Sequence, residues 1–329
     1  MNYKSIIVTE QGGPDVLQIV ENELRPPAGN EVRVRVLASP VCLPDVQARY
    51  GQTPVAPKTP FTPGYAIVGD VEAIGDGVKT AVPGDRIAAL TVFGGWSEVV
   101  YLTDDKLIPM PSTLDPAEAS TLILNYIVAY QTLHRSAKVK AGDTVLVIGA
   151  SGGVGTALLE LGQLAGLKMY GIASARKKAV VEQFGATLID YHTKDFVEII
   201  QQAEPNGLDA VFDGMGGDYL DRGLPLLAQG GTWVAYGNPL SFPNLVRLLS
   251  KLVWFNLKPN GKKLKVYGTT TSRFGKRPFL EDWPKLFTLL VTRQIEPIIM
   301  QTFPLLEAAQ ANELLESGDV IGNVVLVNS

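Results

Sequence analysis

The sequence is poor in the residues from which metal and redox centres are usually built. Its 329 residues include one cysteine, Cys42, and two histidines, His134 and His192. A single thiol excludes an intrachain disulfide and any multi-cysteine zinc lobe. With so little histidine, a metal centre would lean on carboxylates, and a histidine general base has two places to come from. Charge of one sign is scarce too, since 29 Lys and Arg against 33 Asp and Glu leave a net −4. That balance argues against a nucleic-acid surface, which needs a basic excess on one face. No apolar run reaches the roughly 18 residues of a membrane span. The strongest candidate, Leu245 to Leu257, is interrupted by Arg247, Ser250, Lys251 and Asn256. The opening Met-Asn-Tyr-Lys and its short apolar patch are too brief for a secretory signal, so a soluble, cytoplasmic protein is expected. The 46% hydrophobic and 19% charged content excludes disorder and coiled coil. The length suggests two domains, or three.

The texture changes near residue 110. Before it, Glu31-Val32-Arg33-Val34-Arg35-Val36 alternates with the period of a half-buried antiparallel strand. Turn signals punctuate this part at Gly12-Gly13-Pro14, Pro26-Pro27, Pro63-Gly64, Gly75-Asp76-Gly77, Pro83-Gly84-Asp85 and Gly94-Gly95. Short strands so divided predict a barrel-like or sandwich-like β domain. Asp115 is placed to cap a helix beginning at Pro116. From Thr144 the rhythm becomes strand, helix, strand. Val145 to Ile148 reads as a strand buried on both faces, and Val154, Ala157, Leu158, Leu161 and Ala165 form one helical stripe. Further strands are expected at Lys168–Ala173, Leu188–Ile189, Ala210–Phe212, Thr232–Tyr236 and Leu264–Tyr267. The alternation predicts an α/β doubly wound parallel sheet. Val320 to Val327 is strand-like again and is expected to return to the first domain.

The run Gly149-Ala150-Ser151-Gly152-Gly153-Val154-Gly155 sits between the first of these strands and its helix. Glycines let the backbone turn tightly and approach a pyrophosphate, whose charge suits a helix N-terminus. The plain alternative is a tight strand-to-helix turn. Strand, loop and amphipathic helix in register favour dinucleotide binding. The run lacks the Gly-Lys-Ser/Thr ending of a P-loop, which disfavours a nucleotide triphosphatase.

With Pro83-Gly84-Asp85-Arg86, Leu124-Asn125-Tyr126, Ala129-Tyr130, Val139-Lys140-Ala141-Gly142-Asp143 and Ile189-Asp190-Tyr191 added, the sequence resembles the zinc-independent quinone oxidoreductases. These belong to the medium-chain dehydrogenase/reductase superfamily, and the wording is closest to its VAT-type branch. The resemblance implies a GroES-like β-rich catalytic domain over 1–120, completed by 295–329, and a Rossmann NADP-binding domain over 121–294. It implies NADPH-dependent reduction of quinones or activated alkenes, and a homodimer joined through the strand edge Leu264–Tyr267. Zinc relatives share the fold. Cys42 matches their first ligand, but the G-H-E position reads Gly64-Tyr65-Ala66, and one ligand cannot hold a tetrahedral ion.

The end of the second Rossmann strand reads Ala173-Ser174-Ala175-Arg176-Lys177, without the acidic residue that an NAD ribose prefers. Cations and hydroxyls suit a 2′-phosphate. By resemblance, cofactor binding falls to Asn125, Gly149, Ser151, Gly152, Gly153, Val154, Ser174, Arg176, Lys177, Tyr191, Tyr236, Gly237 and Asn323. The reaction builds negative charge on a substrate oxygen and needs a proton. Asp45 stands in the family's cleft loop, and Gln47 replaces a tyrosine common there. Gln47 donates hydrogen bonds but is no acid. Tyr50 and Tyr65 are the candidate substitutes, and Asn125 is the candidate for positioning. Val128 replaces a family threonine. His134 and His192 read as structural. Two alternatives stay open: an enoyl-thioester reductase, and a catalytically weak NADPH-binding interaction protein.

Overall fold

A computed structural model describes residues 1–53, 56–236, 251–257, 261–269 and 277–328. The chain divides into two units, Met1–Leu124 with Lys276–Ser329, and Asn125–Gly275.

The first unit is mostly antiparallel sheet. Strands β1 (Asn2–Val8) and β2 (Leu17–Glu23) form a hairpin pair. The larger sheet is organised around β3 (Glu31–Val41). Val32, Val34 and Val36 are fully buried along it, as their alternation requires, while Arg33 meets Glu72 at 3.2 Å on the other face. β3 pairs with β4 (Ile67–Ile74) and β6 (Val99–Thr103), and β4 continues through β5 (Arg86–Ala89) to β7 (Ile108–Pro109). Helix α1 (Leu43–Arg49) follows β3, and α2 (Pro116–Thr121) starts where Asp115 accepts from the Glu118 amide at 3.0 Å. The C-terminal strand, Asn323–Val327, lies antiparallel to β3 and parallel to Ile299–Pro304. Helix Arg277–Val291 belongs to this unit, although residues up to 294 were expected with the Rossmann domain. The reason is side-chain anchorage. Trp283 Nε1 donates to the Ile123 carbonyl at 3.4 Å, and Arg293 holds Glu118 at 2.9 Å.

The second unit is a six-stranded parallel sheet. Its strands are β8 (Thr144–Ile148), β9 (Lys168–Ala173), β10 (Thr187–Asp190), β11 (Leu208–Asp213), β12 (Leu227–Ala235) and β13 (Lys263–Val266). Their order, β10-β9-β8-β11-β12-β13, is that of a dinucleotide fold. Chain order reverses between β8 and β11, so the crevice at their C-terminal ends is the expected ligand position. Helix α3 (Ile127–Gln131) precedes the sheet, and helices α4 (Gly153–Leu164), α5 (Lys178–Glu182), α6 (Phe196–Ala203) and α7 (Asp218–Gly223) provide crossovers. The apolar run Val145–Ile148 is at most 1% exposed, as a strand covered on both faces must be.

At the free edge, the Tyr267 amide donates to the Ala235 carbonyl at 2.9 Å, so alternate peptides, including that of Leu264, face away from β12. The Asn256 side chain takes both polar groups of Leu264, donating to its carbonyl at 2.9 Å and accepting from its amide at 3.0 Å. The groups that pairing across a two-fold axis would use at Leu264 are therefore already engaged.

Candidate functional site

In the first unit the loop after β3 buries a carboxylate. Asp45, in the first turn of α1, is 1% exposed. Its oxygens accept from the Cys42 amide at 3.1 Å and the Gly64 amide at 2.9 Å. Two donors favour the anion, yet burial dominates and pushes the Asp45 carboxyl up to about 7. The contacts make Asp45 a brace between two loops. Gly64 itself sits at φ +109°, and a Cβ there would lie 2.4 Å from the Trp96 amide. No other residue fits that turn. Tyr65 follows, 7% exposed, its backbone fixed by the Asp45–Gly64 bond and by the Val92 amide on its own carbonyl at 3.0 Å.

The remaining first-unit candidates separate. Gln47 is half-buried on α1. Tyr50 is engaged elsewhere, donating its hydroxyl to Glu316 at 2.8 Å while Arg49 stacks 4.6 Å from its ring. Asn323 is 3% exposed and donates through Nδ2 to the Ile298 carbonyl at 2.8 Å, clasping the start of the last strand.

The zinc positions do not fit a metal. Cys42 is buried with its thiol pushed well up, chiefly by desolvation, and both Asp45 oxygens hold amides. Among the described residues, no group of three His, Cys, Asp or Glu side chains could hold an ion.

In the second unit the polar groups gather at the C-terminal ends of the parallel strands. Gly149 turns the chain at φ +82°, and Gly152 begins α4 without any side-chain cap. A Cβ on Gly155 would meet the Gly149 carbonyl at 2.1 Å, so close helix-to-strand packing depends on this glycine. Ser151 is buried, and Gly152, Gly153 and Val154 are half-buried along the bare helix start. At the end of β9, Ser174 is 5% exposed and its Oγ has no partner among the described residues. A buried hydroxyl left so is unfavourable unless a ligand completes it. Arg176 is exposed beside it and Lys177 half-buried.

Asp190, missed as a site residue, organises this corner. Its carboxylate accepts from the Ala175 amide at 3.2 Å, the His192 amide at 3.3 Å and the Thr193 hydroxyl at 2.8 Å. These bonds, the Thr193 hydroxyl first, hold the carboxyl below its usual range. The signal was present in Asp190-Tyr191-His192-Thr193, an Asx-type turn. Tyr191 is half exposed, packs on His192 with ring centres 4.1 Å apart, and lines a shallow depression with Lys194, Phe196, Tyr219 and Arg222.

After β11, the Asp213 carboxylate holds the Met215 and Gly216 amides at 2.9 and 2.7 Å, forming the other wall of the crevice. Tyr236 is buried beyond it with its hydroxyl pushed further toward the neutral form. Gly237 lies outside the described residues. Asn125 begins this unit, half-buried in a π-helical segment, Leu122–Tyr126, of a kind that often marks functional positions. His134 lies against Tyr130 at 4.5 Å, away from any of these groups in sequence.

Comparison with known proteins follows this geometry. Residues 28–112 match the Alcohol dehydrogenase GroES-like domain family, and residues 184–326 match the family described as Zinc-binding dehydrogenase. The synaptic vesicle membrane protein VAT-1 homolog of Rattus norvegicus is 32% identical over 339 aligned positions, covering 98% of this chain and 84% of that protein. The quinone oxidoreductase of the same organism is 29% identical, covering 98% and 97%. The crystal structure of a Pseudomonas syringae quinone oxidoreductase superposes with a TM-score of 0.87 at 28% identity, covering 99% of each chain.

Proposed function

Because the chain belongs to the quinone oxidoreductase and VAT-1 branch of the medium-chain dehydrogenase/reductase superfamily, an oxidoreductase group that uses nicotinamide cofactors, we propose that it reduces quinones or activated alkenes with NADPH, without metal. The observation that carries the cofactor choice is the buried, unpartnered Ser174 Oγ beside Arg176 and Lys177. A 2′-phosphate supplies the acceptor that this hydroxyl lacks, and its charge suits the two neighbouring cations. The nearby carboxylate, Asp190, is committed to its own turn and keeps Ala175 and Tyr191 in place.

Bound NADPH would supply the hydride. The chain's residues do the rest. The uncapped start of α4 and the amides of Ser151, Gly153 and Val154 hold the pyrophosphate, while the Gly152 amide closes the turn on the Gly149 carbonyl at 3.2 Å. Ser174, Arg176 and Lys177 hold the 2′-phosphate, and Tyr191 lines the adenosine side. Asn125 orients the cofactor. Gln47 and Tyr65 are the donors to the developing oxyanion, and Asp45 sets the backbone that carries Tyr65. Tyr50 is left out of that set because its hydroxyl serves Glu316. We place the protein in the cytoplasm, and no helix of the described residues is long and apolar enough to cross a membrane.

The test is NADPH oxidation followed by nicotinamide absorbance across quinones, enones, alkenals and enoyl thioesters. Steady turnover with a quinone or enone supports the reading. Turnover confined to thioesters would make the chain an enoyl reductase, and no turnover with any of them would leave an NADPH-binding protein.

A further inference from the structure

The wall of the crevice opposite the glycine loop carries a methionine that the proposed reaction does not use. Asp213 pins the loop after β11 by accepting from the Met215 and Gly216 amides, and the Gly214 amide donates to the Ile148 carbonyl at 3.5 Å. Gly216 and Gly217 follow at φ +64° and +62°, so the chain turns away at once. The Met215 side chain lies back over the glycine turn. A Cβ on Gly149 would touch its Cγ and its Sδ at 3.6 Å, and among the described residues no other atom beyond the chain neighbours comes within 4 Å of that point. A thioether has no proton to donate and is a weak acceptor, so it adds apolar cover to a site otherwise made of amides. Met215 itself is 59% exposed.

An exposed thioether is open to oxidation as well as to contact. The chain's other sulfur atoms, in four methionines and one cysteine, stand apart from this loop. Met110 and Met169 are buried, while Met1 and Met300 are exposed members of the first unit. The Met300 sulfur accepts from the Ile321 amide at 3.4 Å. Cys42 is buried with its thiol pushed well up by desolvation, which removes the thiolate that oxidants attack. Met215 is therefore the exposed sulfur of the second unit, and it adjoins the glycine turn.

We propose that Met215 is an oxidation site through which hydrogen peroxide lowers the affinity of this crevice for its nicotinamide dinucleotide; the inference rests on the cofactor reading of the glycine loop. Peroxide passes one oxygen atom to the sulfur. The O–O bond breaks as an S–O bond forms, the sulfur gives up two electrons, and water leaves. The product sulfoxide is polar, and its oxygen accepts hydrogen bonds without donating any, as phosphate oxygens do. Beside the start of α4 that oxygen competes for the amides and repels the pyrophosphate. The turn serves the part common to both dinucleotides, so NADPH and NADH are affected alike, unlike the selective loss expected at Lys177. A bound dinucleotide shields the sulfur, so oxidation acts first on the empty protein.

The experiment treats the full chain with hydrogen peroxide, removes the oxidant, and follows peptide masses and fluorescence titrations with each cofactor. The expected result is one added oxygen at Met215, about tenfold weaker binding of NADPH and of NADH, and an unchanged thermal midpoint. Methionine sulfoxide reductases of both epimer specificities should restore the affinity. NADP⁺ present during treatment should slow oxidation of Met215 and leave that of Met300 as fast. Met215→Leu, compared with itself before and after peroxide, should show no change in affinity, while Met300→Leu should lose affinity as the parent does. An unmodified Met215, an unchanged affinity once Met215 is oxidised, or a loss that persists in Met215→Leu would overturn the inference and leave the cofactor reading standing. A parent that binds neither cofactor before treatment would overturn both.

Discussion

Two loops of this chain meet negative charge with backbone amides, and they do so in opposite ways. Around Asp45 the anion is part of the fold, and the amides of Cys42 and Gly64 are taken by a side chain buried to 1% exposure. Around Gly149 no side chain caps the helix that follows. The built-in anion is desolvated and shows it in a raised pKa; the missing one shows as a bare helix start and an unpartnered Ser174 hydroxyl. A structural brace and the proposed binding site thus differ in whether the counter-group is already present.

Five substitutions can break or sharpen that contrast. The largest effect is expected from Gly155→Val, whose Cβ would collide with the Gly149 carbonyl. It should lower stability by about 3 kcal/mol and abolish nicotinamide-cofactor binding, as read by denaturant unfolding and fluorescence titration. A variant that still binds the cofactor would show that the loop is not the ligand site.

Asp45→Asn addresses the brace through pH. The folded pKa of about 7 lies above the unfolded carboxylate value of 3.8, so the folded state holds the extra proton between them. Stability from this group is present below about pH 4 and is lost as pH rises toward 7, by a few kcal/mol. Wild-type denaturant midpoints should therefore fall relative to Asp45→Asn over that window. Parallel profiles would mean that the two amide bonds outweigh burial and keep Asp45 ionised.

At the binding loop, Lys177→Ala should weaken NADPH about tenfold and leave NADH nearly unchanged, since a charge-assisted phosphate bond contributes roughly 1.5–3 kcal/mol. Ser174→Asp should reverse the preference. Equal losses for both cofactors would reduce the basic cluster to a solvated helix start.

Tyr50→Phe is the smallest change. It removes the hydroxyl bond to Glu316 and should cost about 1 kcal/mol of stability with kcat unaltered. A large loss of kcat would return Tyr50 to the catalytic set.

Local pattern was enough for much of this protein. The alternation at Val32, Val34 and Val36, the Asp115 cap, the buried run Val145–Ile148 and the glycine turn each depend on neighbours within a few residues, where periodicity and backbone sterics act directly. The same locality sets where Ser174 and Lys177 stand, because the second strand ends at a fixed distance from the glycine loop. Tertiary structure decided what depended on partners far along the chain. Glu316 engages the Tyr50 hydroxyl from 266 residues away, Gly64 makes the cleft-loop candidate Asp45 a brace, and Ile123 and Glu118 draw helix Arg277–Val291 into the first unit. Asn256 closes the Leu264 edge in the same manner, by a side chain whose target only folding supplies. A side chain's chemistry is written in its sequence; whether that chemistry is available is set by burial and by the groups that reach it first.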